Sequence, residues 1–396
     1  MRVFSYRYRL SHAITEKLVA MAPRLIPRGR VRARAAQPGR ILVLKFGGMG
    51  EAVLARSVMD GLLERNPVLT IDYLVEQRTV EVMTLGRTDS CVFRYSPSTD
   101  GLGAALKVLR AVRRNRYDAV VDFEQHSLLT AVFCRATSIP LRAGFLPSVS
   151  NDRDRMFTHA VALREGESMW KAFVHLGQVL DPGLPESLTT TPVPTSADAE
   201  SWMDDWWGAN VGEDRSGPVV VMHRGVGPSA QYRRWPIARF AECARALDAR
   251  YPGLTVVLTG AAGERELMSE FREAFAGKSV EASDLGGLER TCALLRRCNL
   301  LLSADTGIMH LAAAMGVPTV GLFGPNTPAC WAPVGLRATW VYTTGQRCSP
   351  CINSYRRSIP EGCTAALESA CMWDIGVEDV LRAAGSVMPN GRPDRA

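Results

Sequence analysis

The stretch "ADTGIMHLAAAMG" at 304–316 sets Asp305, Thr306 and Gly307 directly ahead of a run with helical apolar spacing, and His310 follows one turn in. A helix start carries unpaired N–H groups and the positive end of the helix dipole, so its natural guest is an anion such as a phosphate. Gly307 would let that anion approach the backbone, and His310 could donate to it. The plainer reading makes Asp305 a helix cap and His310 a packed helix residue. A second stretch, "LKFGGMGE" at 44–51, brackets a glycine turn (Gly47, Gly48, Gly50) between Lys45 and Glu51. An acid at that place also favours the first turn of a helix electrostatically.

These residues need a scaffold to hold them. "ILVLKF" (41–46) is an apolar run rich in strand formers, "GGMGE" a tight loop, and "AVLARSVMDGLLERNP" a helical pattern ended by Pro67. "IDYLVE" (71–76) and "YDAVVDF" (117–123) repeat the strand signal between helical stretches, which predicts a parallel sheet with helices on its faces. The rhythm restarts at "PVVVMHRG" (218–225) and runs on through "LTVVLTG", "NLLLSAD" and "PTVGLFG". Two α/β halves follow. The expected organisation is a basic extension at 1–39, an α/β domain at 40–185, a linker region at 186–217 rich in proline and small polar residues, and a second α/β domain at 218–396. In open α/β sheets ligands sit beyond the carboxyl ends of the strands, which is where Asp305 to Gly307 fall.

Length and composition agree. The chain has 396 residues, 46% hydrophobic and 22% charged, as expected of a soluble protein with two domains. No uncharged apolar run reaches the length of a membrane-spanning helix. The first residues do not read as a signal peptide, being interrupted by Glu16, Lys17 and Arg24, so the ten cysteines are expected as reduced thiols in the cytoplasm. The net charge of +7 is concentrated in residues 1–40, where ten basic residues face Glu16 alone. The rest is nearly balanced, which argues against a nucleic-acid-binding body; Arg110, Arg113, Arg114 and Arg116 read as the solvated face of a helix. In residues 1–37, Leu10, Ile14, Leu18 and Met21 recur at helical spacing after Phe4, Tyr6 and Tyr8. That arm is expected to attach the chain peripherally to the anionic inner face of the cytoplasmic membrane, the plainer alternative being a solvated extension.

"SADTGIMHLAAAMGVPTVGLFGPNTPACWAPVG", together with "LKFGGMGE", "YRRWP" (232–236) and "LTGAAGERE" (258–266), resembles glycosyltransferase family 9, the ADP-heptose:lipopolysaccharide heptosyltransferases. The resemblance implies a GT-B fold: two facing Rossmann-like domains with parallel sheets, the sugar nucleotide held mainly by the second and the acceptor by the first. It also implies inversion at the anomeric carbon, no metal and no cofactor, an ADP-heptose or similar donor, and a lipopolysaccharide-core or other lipid-linked glycan acceptor. By the same resemblance Asp305, Thr306, Gly307 and His310 form the diphosphate-binding helix start. Arg233 stands where the family has a lysine before Trp-Pro and keeps the charge, with Arg234 beside it. Glu264 matches an acid that accepts from a ribose, or is a solvated loop charge. Glu51 replaces the aspartate that usually ends the glycine turn; either carboxylate can act as general base toward an acceptor hydroxyl. Lys45 would contact the donor or an anionic acceptor, or lie solvated.

Two other readings compete. A nicotinamide oxidoreductase would use the glycine loop and the later acid Glu76, but the third glycine of that fingerprint falls at Val53. A catalytically degenerate relative would bind the nucleotide sugar and act as a scaffold. Cys348, Cys351, Cys363 and Cys371 form a possible structural metal cluster, though without the close second pair of a zinc ribbon. "WMDDWW" (202–207) offers a sugar platform, or more simply a linker-adjacent helix anchoring a domain interface.

Overall fold

The computed structural model describes residues 38–148, 152–212, 216–226, 228–260, 265–343, 345–355, 358, 360, 362–365 and 367–388. The N-terminal arm and Glu264 lie outside the described residues. The chain divides into two compact units, Met1–Leu188 and Thr189–Ala396.

In the first unit, β1 (Arg40–Lys45), β2 (Thr70–Val75), β3 (Val92–Arg94), β4 (Ala119–Asp122), β5 (Leu141–Leu146) and β6 (His159–Ala162) build one parallel sheet in the order β3-β2-β1-β4-β5-β6. Its helices are α1 (Met49–Arg65), α2 (Gln77–Thr84), α3 (Leu102–Arg114), α4 (Leu128–Thr137) and α5 (Met169–Gln178). Ile41 to Leu44 of β1 are fully buried, as a strand covered on both faces requires. Each such side chain contributes roughly 1.5–3 kcal/mol of burial.

The second unit repeats the plan. Strands β7 (Val219–His223), β8 (Thr255–Thr259), β9 (Lys278–Glu281), β10 (Leu300–Ala304), β11 (Thr319–Phe323) and β12 (Ala338–Tyr342) run in parallel in the order β12-β11-β10-β7-β8-β9. Its helices are α6 (Ala197–Asn210), α7 (Ile237–Arg250), α8 (Arg265–Ala274), α9 (Leu288–Arg296), α10 (Gly307–Ala314), α11 (Pro328–Trp331), α12 (Ala370–Trp373) and α13 (Val377–Val387). Each sheet reverses its strand order at one place, between β1 and β4 and between β7 and β10. Connections leave in opposite directions there, and a crevice opens beyond the strand ends.

Helix α6 lies inside the stretch expected as linker. The Ser196 hydroxyl caps it by accepting from Ala199 N–H, and Arg297 pins it through Glu200 at 2.6 Å and Asp204 at 2.5 Å. Trp207 is buried, and the guanidinium of Arg290, in the same unit, lies 4.0 Å over Trp202. Among the described residues no helix is long and apolar enough to cross a membrane.

Candidate functional site

In the first unit the carboxyl ends of β1 and β4 bring together residues far apart in sequence. Lys45 ends β1, with Leu44 in register with Asp122 of β4. The loop after Lys45 turns through Gly48 at φ +53°, a left-handed conformation that favours glycine, and a Cβ there would come within 2.9 Å of the Glu51 carboxylate. Glu51, in the first turn of α1, folds back over Gly48 so that its Oε2 meets Lys45 Nζ at 2.7 Å and Gln125 Nε2 at 3.1 Å. Lys45 also pairs with Glu124. Glu124 in turn accepts from Phe46 N–H and Gly47 N–H, each at 2.9 Å.

The electrostatics follow from burial. Lys45 has no exposed surface, whereas the Glu51 side chain keeps 25% exposure. Burial pulls the Lys45 ammonium down, but the charges of Glu124 and Glu51 outweigh it and hold the group above the usual lysine value. Burial likewise pushes Glu124 up, and Lys45 together with the two backbone donors holds it below the usual carboxylate range. Beneath the Glu124 loop the fully buried pair Arg153–Asp122 closes at 3.0 Å, and Arg153 also donates to the Glu124 carbonyl at 2.6 Å. The result is a fixed, partly exposed carboxylate at the rim of the crevice.

In the second unit β10 delivers Asp305 to the start of α10. Thr306, not Asp305, occupies the N-cap position, and its side chain makes no cap bond. Its hydroxyl instead meets Ser303 Oγ at 3.0 Å. The first-turn N–H groups are therefore not consumed by a side-chain cap, as an anion site requires. The Asp305 carboxylate accepts from Asn326 Nδ2 at 2.8 Å and pairs with Arg233 at 3.5 Å. Arg233 keeps 24% exposure, its Nη1 reaches the Asp305 carbonyl at 3.4 Å, and Arg234 is half-buried beside it. His310 is buried, lies edge-on to Trp331 at 6.2 Å, and its Nδ1 has no hydrogen-bond partner. Burial lowers its basicity more than Asp305 raises it, so the imidazole is neutral near pH 7.

The profile of glycosyltransferase family 9 (heptosyltransferase) matches residues 105–358, well over half of the chain. The chain belongs to glycosyltransferase family 9. Lipopolysaccharide heptosyltransferase 2 of Salmonella typhimurium (strain LT2) is 33% identical over 121 residues, 29% of this chain and 34% of that protein. The chain thus spans about a third of that relative's length in the match. Lipopolysaccharide heptosyltransferase 1 of Pseudomonas aeruginosa is 26% identical over 335 residues, covering 79% of this chain and 86% of that protein. In fold, the chain is similar to the solved structure of the E. coli ADP-heptose lipopolysaccharide heptosyltransferase II, with a TM-score of 0.66 at 21% identity over 88% of this chain and 98% of that one. The fold is the GT-B fold expected from the sequence motifs.

Set against this family 9 scaffold, the expected residues fall into two groups, one per unit. Gly47, Gly48, Gly50, Lys45 and Glu51 gather at the β1–β4 switch point; Arg233, Asp305, Thr306, Gly307 and His310 gather at the β7–β10 switch point. Lys45 is not solvated: it is fully buried and held by two carboxylates. Glu76, the acid an oxidoreductase would need, is occupied by Arg78 at 2.8 Å and the Ser96 hydroxyl at 2.8 Å. Among the described residues no group of three or more His, Cys, Asp or Glu is arranged to hold a metal, and the four C-terminal cysteines are free thiols. They sit at different depths: Cys348 is exposed, whereas Cys371 faces Gly324 in the core and burial pushes its thiol up to about 12.

Glu124, Gln125, Asn326 and His223 were not expected from the sequence. His223 ends β7 in register with Ser303 of β10, and burial, then Arg224, push its imidazole down to about 4. Its place just after an apolar strand, in "VVVMHRG", is the signal that could have drawn attention to it.

Proposed function

We propose that this protein is an inverting, metal-independent glycosyltransferase that moves a heptose, or a related sugar, from an ADP-sugar to a lipopolysaccharide-core or other lipid-linked glycan. Family membership supports sugar transfer, and the name of the E. coli structure it resembles supports the ADP-heptose donor. The observations that carry the reading are made in each unit by itself: a fixed carboxylate at the switch point of the first, and an uncapped helix start flanked by Arg233 at that of the second.

In this reading Glu51 takes the proton of an acceptor hydroxyl as that oxygen forms its bond to C1 of the donor sugar. The bond between C1 and the diphosphate oxygen breaks, and its electron pair leaves with ADP. A single displacement inverts C1. Arg233, the α10 N–H groups and a donor nitrogen of neutral His310 stabilise the charge that gathers on the departing diphosphate. The task a divalent metal performs elsewhere is thereby given to protein groups already in place. Glutamate is one methylene longer than the family aspartate, and folding back over Gly48 to Lys45 takes up that length. The enzyme would work in the cytoplasm, at the inner face of the membrane where lipid-linked acceptors are extended.

Incubation with a panel of nucleotide sugars and truncated lipopolysaccharide acceptors, followed by mass spectrometry, tests this. Transfer from ADP-heptose that persists in excess chelator is expected. Tight ADP-sugar binding without any transfer would favour the scaffold reading, and oxidation of NADH the oxidoreductase.

A further inference from the structure

Helix α3 presents a face that the transfer chemistry does not use. At 3.6 residues per turn its exposed positions Leu102, Arg113, Leu106, Arg110, Gly103, Arg114 and Lys107 fall in that order across an arc of roughly 140°. Leu102 is 62% exposed and Leu106 42%, on adjacent turns of one side, and four cations fill the rest of the arc with Gly103. Arg116 follows directly and is exposed. Residues 101–117 contain no Asp or Glu, and neither do residues 125–151, which include the neighbouring helix α4 with Arg135. Elsewhere exposed arginines take carboxylate partners, as Arg382 does with Asp379 and Arg239 with Glu242. Among the described residues Lys107, Arg110, Arg113, Arg114 and Arg116 make no ion pair; the acids nearest in sequence are engaged otherwise, Asp100 by Ser96 N–H and Asp118 by Gly39 and Arg40 N–H. Arg113 does reach the Ala136 carbonyl, tying α3 to α4.

We propose that the α3 face docks on a bilayer surface rich in anionic phospholipid, with the helix axis in the plane of the membrane. Leu102 and Leu106 enter the boundary between headgroups and acyl chains, and Lys107, Arg110, Arg114 and Arg116 meet the phosphates around them. An acid-free cationic arc attracts any polyanion, but the exposed leucines beside it gain from leaving water only if the partner has an apolar interior to offer. That combination selects a membrane over a nucleic acid. The proposal uses no residue of the N-terminal arm and does not rest on the role of Glu51.

The test uses the full chain and vesicles of phosphatidylethanolamine with phosphatidylglycerol, against pure phosphatidylcholine. Sedimentation should show binding to the anionic vesicles that is released by high salt, since exposed charges are screened over about 8 Å at physiological ionic strength. Neutralising two cations in Arg110→Gln/Arg114→Gln should lower partitioning on the order of twenty-five-fold, about fivefold for each. Leu102→Ser/Leu106→Ser should lower it by roughly tenfold or more while leaving the unfolding transition and ADP binding unchanged. Because the arm can also bind lipid, Leu106→Trp supplies a local reading: brominated acyl chains should quench its added fluorescence. Undiminished binding in both double variants would overturn the proposal, as would absence of quenching in vesicle-bound Leu106→Trp, or a wild-type chain that binds duplex nucleic acid but not anionic vesicles.

Discussion

Replacing Lys45 with methionine removes the cation that two carboxylates share while keeping most of the side-chain volume. At 2.7 Å and an effective dielectric constant near 20, the attraction to Glu51 alone is about 6 kcal/mol before the cost of burial is subtracted. Deleting one partner of a buried pair costs roughly 3–5 kcal/mol, because a charge is left in a poor solvent. Here the stranded carboxylates keep 25% and 14% exposure, and Glu124 keeps two backbone donors, which points to the low end, about 3 kcal/mol. The pH dependence has a definite sign. Lys45, held above its ordinary value, contributes stability at neutral pH and loses it only as the pH rises through that raised value. Glu124, held below its ordinary value, contributes above about pH 4 and loses that contribution in stronger acid. In Lys45→Met, Glu124 has lost its cation and accepts a proton more readily, so the loss should shrink between pH 8 and pH 5. Urea unfolding at both pH values, with hydrogen exchange at β1 and β4 amides to localise the transition, measures this. Adding Glu124→Gln should restore about 2 kcal/mol, since the more buried of the two stranded charges is then gone and only Glu51, with 25% exposure, is left without the ammonium. A loss under about 1 kcal/mol, equal losses at the two pH values, or simple additivity in the double variant would refute the shared-cation account.

Glu51→Gln should reduce turnover by about a hundredfold or more with ADP binding nearly unchanged, as measured by product formation and calorimetry, since it removes the proposed base and keeps the shape. Arg233→Ala and His310→Ala should each weaken ADP affinity by roughly tenfold and lower turnover as well, because both are proposed to meet a diphosphate that is charged before reaction; calorimetric titration reads the first effect. Asn326→Leu should cost about 1–3 kcal/mol in thermal unfolding by removing the donor to the buried Asp305 carboxylate. His223, depressed to about 4, favours the native state above its ordinary value near 6.5 and loses that advantage as the pH falls toward 4. His223→Gln should therefore flatten the decline in thermal stability over that interval.

The alternation of strand and helix was legible because β1, β2, β4, β7, β8, β10 and β11 are short apolar runs bounded by turn residues, and each was expected within a residue or two of its observed place. The α10 start was legible for the same reason, as glycine and small polar residues interrupt an otherwise apolar stretch. Lys45 was not. Its environment depends on Glu124, 79 residues away, and nothing local distinguishes a lysine ending a strand in water from one enclosed by carboxylates. Helix α6 was legible at "WMDDWW", but its start at Ala197 was obscured by the proline-rich composition before it, and its partners Arg297 and Glu289 lie on distant sequence. Asp305 looks like a cap from its position, but Asn326 and Arg233 claim its carboxylate, and this again is a matter of tertiary partners.

Both sheets share one strand order, and the residues of each candidate half-site hang from the strand ends of a single unit. Such an arrangement divides the mutational load. If the first unit takes the acceptor and the second the donor, as proposed, changes around Glu51 and Glu124 would alter which acceptor is recognised without touching any side chain that holds Asp305, and changes around Arg233 would alter the donor without disturbing Lys45. Descendants of this gene could therefore explore the two specificities separately, and a chimera joined near Leu188 would be the laboratory form of the same experiment.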